Sequence, residues 1–368
     1  MPPPIFTRIV QGLPSTVPFV GPEAQERKRG RKFRARLGAN ESLFGPSPKA
    51  IAAMRAAAEE NWKYCDPENH DLKQALARHH GISPGNIVVG EGIDGLFGYV
   101  ARLFVEPGTA VATSLGAYPT FNYQVMGCGG RLATTPYVED RENPEALLDL
   151  AQREGARLIY FSNPDNPMGS WWDAAAVADF ICRVPENCVL CLDEAYGEFA
   201  PAGTMPPLDV GDPRVLRFRT FSKAYGLAGA RVGYAIGEVG VISAFDRIRN
   251  HFGVNRIAQI GALAALGDTE YLATVLSQVS AARDRIASIG RANGLKPLPS
   301  AANFVTLDCG RDGDHARRVL NALIERDVFV RMPGVVPLDR CIRVSAGTKL
   351  DLDVFEEVLP AALKAANP

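Results

Sequence analysis

The sequence predicts an α/β protein: a large domain built on a mainly parallel sheet, joined to a smaller α+β domain. Three observations carry this expectation. Short β-branched runs alternate with longer amphipathic segments from about residue 45 to 250, the pattern of strands returned to one sheet by crossover helices. Beyond residue 250 the texture changes to two long helical patterns followed by short strands and helices. A chain of 368 residues, at about 150 per domain, has room for one large domain and a smaller one. The expected divisions are 1–44, an N-terminal segment joining the small domain; 45–255, the large domain; and 256–368, the small domain.

Each element follows from its residues. The Pro-rich first thirty residues are expected to lie across both domains. Strands are predicted at Asn86–Val89, Ala110–Thr113, Arg157–Phe161, Cys188–Asp193, Val215–Thr220 and Arg231–Ile236. Helical patterns separate most of them, as at Glu145–Glu154 and Ala174–Cys182. Cys188 and Cys191 are spaced like a metal or redox pair, but they sit in an apolar strand pattern. An offset of three there sends the side chains to opposite faces, so both are expected in the core. Farther on, Ile257–Gly267 and Tyr271–Asn293 read as long helices, and "NFVTLDCG", "VFVRM" and "CIRVSAG" as strands. Helices are predicted near Asp314–Arg326 and from Asp351 onward.

Composition narrows the function. Hydrophobic residues at 46% and charged residues at 22% belong to a globular chain, not to a disordered, collagen-like or disulfide-stapled one. A net charge of −1 supplies no overall field toward nucleic acid or membrane, and neither is an expected partner. The basic run from Arg27 to Arg36 is read as solvated surface. No run of 18 apolar residues would span a bilayer, and the start lacks a charged leader with a long apolar core, so a cytoplasmic address is expected. The five histidines show no shared ligand spacing, and no metal site is expected. His79 and His80 close a helix before Gly81, where a charged imidazole would suit the negative end of the dipole.

The informative segment is "FRTFSKAYGLAGARVGY", Phe218–Tyr234. A lysine, Lys223, stands just after a strand. Held at the base of a pocket, a lysine amine loses its proton and attacks a carbonyl. Thr220, Ser222 and Arg231 offer donors suited to a phosphate dianion.

This segment resembles the lysine motif of the fold-type I pyridoxal-phosphate aminotransferases, S-K-x-x-x-L-A-G-x-R-x-G, at every fixed position. Three further stretches match in the same chain order. "NPDNPMG" (163–169) is similar to the family's N-P-x-N-P-T-G, with Met168 in place of threonine. "LDEAYGEF" (192–199) resembles its strand-end D-E-x-Y, and "VGEGIDGLFGYVARLF" (89–104) its phosphate-binding turn. The chain is thereby identified as a member of that family, and pyridoxal 5′-phosphate is the expected cofactor.

The resemblance implies a role for each matching residue. Lys223 would carry the cofactor and act as general base. Asp193 would keep the cofactor's ring nitrogen protonated; as an isolated residue it would merely cap the next helix. Tyr196 and Asn166 would hydrogen-bond the ring oxygen. Gly92, Ile93 and Asp94, opening a helix, would cradle the phosphate with Thr220, Ser222 and Arg231. Asp94 is unusual beside an anion, and its plain role is an N-cap. Tyr118 in "GAYPTFNY" would stack on the ring. Tyr64 in "NWKYCDP" would reach the neighbouring subunit's phosphate, implying a homodimer with shared active sites. Arg343 in "RCIRVSAGT" would grip an anionic group of the substrate, with Arg331 as a second contact and Asn40 in the segment that closes over it.

Within the family, "LGANES" and "CIRVSAGT" look most like the histidinol-phosphate branch, which implies amino transfer to a keto acid such as 2-oxoglutarate. Gly95 stands where that branch usually has glutamate, and Gly253 where asparagine is common. The alternative that the motifs do not exclude is a decarboxylase of an amino-acid phosphate, such as threonine phosphate, on the same fold. A cofactor-binding regulator would need an added DNA-binding domain, for which the segment before Leu37 leaves no room.

Overall fold

The computed structural model describes residues 5–14 and 20–367, so the N-terminal expectations at 1–4 and 15–19 lie outside the described residues. After two short helices, Arg8–Gly12 and Pro22–Arg29, comes a two-residue strand, β1 (Ala35–Arg36). Seven strands then build the central sheet: β2 (Ile87–Gly90), β3 (Ala110–Ser114), β4 (Arg131–Thr135), β5 (Leu158–Ser162), β6 (Val189–Asp193), β7 (Val215–Thr220) and β8 (Gly233–Ile236). Their spatial order is β2-β8-β7-β6-β5-β3-β4. Neighbours run parallel except at β8, which is antiparallel to both β2 and β7. In register, Ser162 of β5 lies opposite Asp193 of β6, and Asp193 opposite Phe218 of β7. The carboxyl ends of three strands therefore finish side by side.

Strands β5, β6 and the body of β7 are buried along their length, as an interior parallel sheet requires. Cys188 and Cys191 pack into different clusters on opposite sheet faces, as the strand offset predicts. β4 is missing from the sequence expectation: RLATT is a half-exposed edge strand without an apolar run. β8 begins two residues later than expected, because Arg231 adopts φ 56° at the end of a 3₁₀ turn and cannot enter the ladder.

Helix Gly92–Phe104 crosses one face of the sheet and buries Phe97 against Phe121, Tyr160 and Phe218. After the 24-residue helix Thr269–Ala292 come β9 (Lys296–Pro297), β10 (Phe304–Asp308), β11 (Val328–Phe329) and β12 (Cys341–Ser345). β10 pairs antiparallel with both β9 and β12, while β1 pairs parallel with β11 and so ties residues 35–36 to the C-terminal strands. The chain closes with helix Lys349–Ala366, whose start is fixed by a reciprocal cap between Thr348 and Asp351.

Two sequence expectations resolve here. The basic run is largely neutralised: Arg29 and Arg31 pair with Asp327, Arg34 with Glu357, and Arg36 with Glu23. His80 is not a charged helix terminator. Burial pushes its pKa down to about 3, and its neutral ring hydrogen-bonds the Tyr234 hydroxyl at 2.9 Å. Among the described residues, no helix is long and apolar enough to cross a membrane.

Candidate active site

The loops leaving the carboxyl ends of β5, β6 and β7 enclose a cleft of about 590 Å³. In an α/β sheet this is where the strands stop supplying backbone partners and loops can present side chains. The cleft is lined from the sheet by Asp193, Thr220, Ser222 and Lys223, and from the C-terminal strands by Arg331 and Arg343.

Asp193 ends β6 with its carboxyl group buried. It accepts the Tyr160 hydroxyl at 2.8 Å and the Ala195 backbone N–H at 3.0 Å. Burial pushes its pKa up to about 6, against the pull of those two donors. It is a carboxyl group with neutral partners, suited to a cationic N–H.

Lys223 Nζ donates to the Asn40 carbonyl at 3.1 Å and lies 5.6 Å from the centre of the Tyr196 ring. The Tyr196 hydroxyl accepts Nδ2 of Asn40 at 3.1 Å and Nδ2 of Asn166 at 3.4 Å. Asn40 reaches this place through a left-handed backbone, φ 54°. Ser345 holds both its amide and its side chain, and Asn303 Nδ2 donates to its carbonyl at 3.0 Å. The N-terminal segment is thus fastened to β12 directly above the lysine.

Arg343 is half-buried. Its guanidinium donates to Oδ1 of Asn166 and to the Gly38 carbonyl at 3.4 Å, while its Nε has no partner. Desolvation lowers its pKa to about 10, so it stays cationic at neutral pH. A guanidinium with a buried, open donor invites an anion. Arg331, just past β11, forms an isolated bridge to Arg343 of β12 through reciprocal backbone hydrogen bonds, and both line one cleft. Its side chain also donates to the Val20 carbonyl at 2.9 Å.

Opposite, helix Gly92–Phe104 begins at Gly92, φ +76°, with no side-chain cap, leaving its first N–H groups open. A Cβ at Gly92 would collide with the Arg231 guanidinium, so that position must stay bare. Arg231 donates to Ser222 Oγ at 3.3 Å and lies 3.6 Å from the Asp94 carboxylate. The N-cap expected at Asp94 is overturned. Glu91 holds that position, and Asp94 sits in the first turn, where it accepts the Tyr118 hydroxyl at 3.1 Å. That contact fixes the Tyr118 ring against the cleft. Thr220 lines the cleft, but its hydroxyl proton goes to the Val232 carbonyl at 3.3 Å and its oxygen accepts the Ser222 N–H. Its hydroxyl shapes the lysine turn and does not face the cleft as a free donor.

Ile93 and Asp94 line the cleft with Asn166 and Tyr196. Tyr64 stands apart. It is 82% exposed, outside the cleft, and packs on Phe252 with ring centres 5.0 Å apart. Sequence reasoning missed Tyr160, which orients Asp193, and Asn303, which anchors Asn40. It also missed a buried acidic layer under Asn166: Tyr137 donates to Asp165 at 2.7 Å, and Ser162 to Glu142 at 2.6 Å. A tyrosine in the apolar run LIYFS was the available signal for the first.

Known proteins resemble this chain over almost its whole length. A family model described as aminotransferase class I and II matches residues 35–359. A histidinol-phosphate aminotransferase of Carboxydothermus hydrogenoformans is 34% identical over 361 residues, 97% of this chain and 99% of that protein. One from Mesorhizobium japonicum is 34% identical over 335 residues, 89% of this chain and 90% of that protein. A crystal structure of histidinol-phosphate aminotransferase from Sinorhizobium meliloti in complex with pyridoxal 5′-phosphate superposes with a TM-score of 0.95 at 55% identity, covering 98% of this chain and 97% of that one. With the motifs in order around one cleft and a matching model over residues 35–359, the chain belongs to the aminotransferase class I and II family.

Proposed function

We propose that this protein is a pyridoxal-phosphate-dependent aminotransferase that takes its amino group from histidinol phosphate and passes it to a keto acid, 2-oxoglutarate being the expected acceptor. The observation that carries it is the pairing, in one cleft, of Lys223 and Asp193 with two bridged arginines, Arg331 and Arg343. The relatives' names support the donor.

The residues present fit the cofactor. The open helix N-terminus at Gly92, where a Cβ would strike Arg231, together with Ser222 and Arg231 is a donor set for a phosphate. Asp193 faces the cleft with neutral partners and suits a protonated ring nitrogen. Tyr196 and Asn166 suit the ring oxygen, and Tyr118 suits the ring face. When bound, pyridoxal phosphate supplies an electron sink for the negative charge left at the substrate carbon.

The chain's own residues do the rest. Asp193 holds a proton at the ring nitrogen. Lys223 would be the cofactor's attachment point, and its free amine would move the proton at the substrate Cα. Arg343, with Arg331 beside it, binds the substrate's anionic end and fixes which face Lys223 meets. Asn40, fastened to Ser345 and Asn303, covers the lysine and excludes water. The exposed Tyr64–Phe252 pair belongs to a homodimer contact in which Tyr64 completes the partner's phosphate site, and the enzyme is cytoplasmic.

The amino-acid-phosphate decarboxylase alternative is not favoured, because the relatives are named aminotransferases. The deciding experiment follows the visible absorption of the cofactor-loaded protein. Histidinol phosphate should bleach the band and 2-oxoglutarate restore it. A response to other amines alone discards the donor, and carbon dioxide release without keto-acid dependence discards transamination.

A further inference from the structure

Glu91 sits at the N-cap of the helix that opens at Gly92, yet its carboxylate makes no cap. Both of its oxygens are held by the Tyr99 hydroxyl, at 2.9 and 3.1 Å. The Tyr99 oxygen in turn accepts the Asn250 backbone N–H at 2.9 Å. Two glycines make the space. A Cβ at Gly95 would lie 3.3 Å from both Cβ and Oε2 of Glu91, and a Cβ at Gly253 would overlap the carboxylate itself. Among the described residues, no lysine or arginine forms an ion pair with Glu91. Its negative charge is therefore held by one hydroxyl and by the absence of two side chains.

That placement matters because of what Glu91 could otherwise reach. A carboxylate at an N-cap ordinarily turns onto the free N–H groups of the first helical turn, and the helix dipole favours it there. Those N–H groups and Arg231 form the proposed phosphate seat. A tethered carboxylate released beside them would compete with the phosphate for the same donors, and its charge would repel the phosphate.

We propose that Tyr99, Gly95 and Gly253 form a niche that holds the Glu91 carboxylate away from the helix N-terminus, keeping the phosphate seat open. The inference rests on the phosphate-seat reading above. It makes Tyr99 a positioning residue, since it touches neither substrate nor cofactor. It also joins two glycines far apart in sequence into one device: each is needed small because of the same glutamate.

The test measures pyridoxal-phosphate affinity of the cofactor-free protein by absorbance, with inorganic phosphate as competitor. Tyr99→Phe keeps the buried ring and removes the hydroxyl. Gly253→Ala displaces the flexible end of Glu91. Each is expected to weaken binding about tenfold, the scale of one charge interaction at a helix N-terminus. Adding Glu91→Ala to either background should restore affinity to within about twofold of the parent. In Tyr99→Phe, which adds no atom, a general packing defect would not be rescued by deleting Glu91; in Gly253→Ala the clash is with Glu91 itself, so the Tyr99→Phe pair carries the decision. Unchanged affinity in Tyr99→Phe, or a loss that Glu91→Ala does not reverse, overturns the niche; Tyr99→Phe decides alone if Gly253→Ala does not fold. Failure of the parent protein to bind pyridoxal phosphate overturns the phosphate-seat reading instead.

Discussion

Asp193 shows how one residue can be costly to the fold and still be kept for chemistry. Its pKa, raised by burial from an ordinary 3.8 to about 6, means the cofactor-free fold favours the protonated carboxyl. Between those values the native chain binds more protons than the unfolded one, so stability falls as pH rises through the window, and the deficit persists above it. In cofactor-free Asp193→Asn the slope should become shallower by Asp193's share, while that of Asp165 and Glu142, also raised by burial, remains; the variant should be at least as stable at pH 7 as the parent, and thermal melts across pH 4–8 check it. The same variant should lose turnover by orders of magnitude, because an amide holds no charge against a protonated ring nitrogen. Equal slopes in both proteins would show that Asp193 does not titrate as described. Lys223→Ala should abolish turnover while the melt survives, since the network of Asn40, Tyr196 and Asn166 remains. Retained turnover would remove Lys223 from the mechanism.

At the scale of elements, the turn into helix Gly92–Phe104 joins backbone conformation to electrostatics. Gly92→Ala meets two obstacles, φ +76° and the Arg231 guanidinium. It should cost about 1–2 kcal/mol in stability and weaken cofactor binding more than tenfold. A denaturant titration and a binding isotherm read the two effects separately. Behind the lysine turn, Glu194 receives both Arg217 and Arg219, with Arg217 and Glu194 almost wholly buried. Arg217→Met leaves Glu194 with a single partner in the interior and should cost about 3 kcal/mol or more.

These elements also show what the sequence makes legible. Asp193–Tyr196 and Thr220–Lys223–Arg231 were read by their resemblance to the family's motifs, and each run lies at or just beyond the end of a buried strand, where contiguous residues enter one cleft. Strand ends slip by one or two residues because turns, such as the one at Arg231, override local propensity. β4 was illegible because an edge strand exposes alternate residues. Asn303 was illegible for another reason, and Tyr160 was marked only as a polar residue in an apolar run. They meet Asn40 and Asp193 through packing and strand pairing between distant segments, and no local pattern names such a partner.

For the whole molecule, the central question is whether one chain holds a complete site. Lys223, Asp193, Arg231 and Arg343 all come from a single chain, whereas Tyr64 points away from that chain's cleft and lies 82% exposed against Phe252. Trp62 beside it is equally exposed, an apolar edge that a monomer would leave in water. If the edge is a two-fold contact, each Tyr64 serves its partner's phosphate seat, and the arrangement has an arithmetic signature. Lys223→Ala and Tyr64→Ala chains should each be inactive or much weakened alone. Mixed equally and allowed to exchange subunits, half the dimers are hybrids, each with one site carrying both changes and one site intact, so about a quarter of wild-type activity should return. Sites complete within one chain would give no such recovery, because every site would still lack a residue. Full activity of Tyr64→Ala alone would remove the tyrosine from the site, and sedimentation as a monomer would remove the shared site altogether.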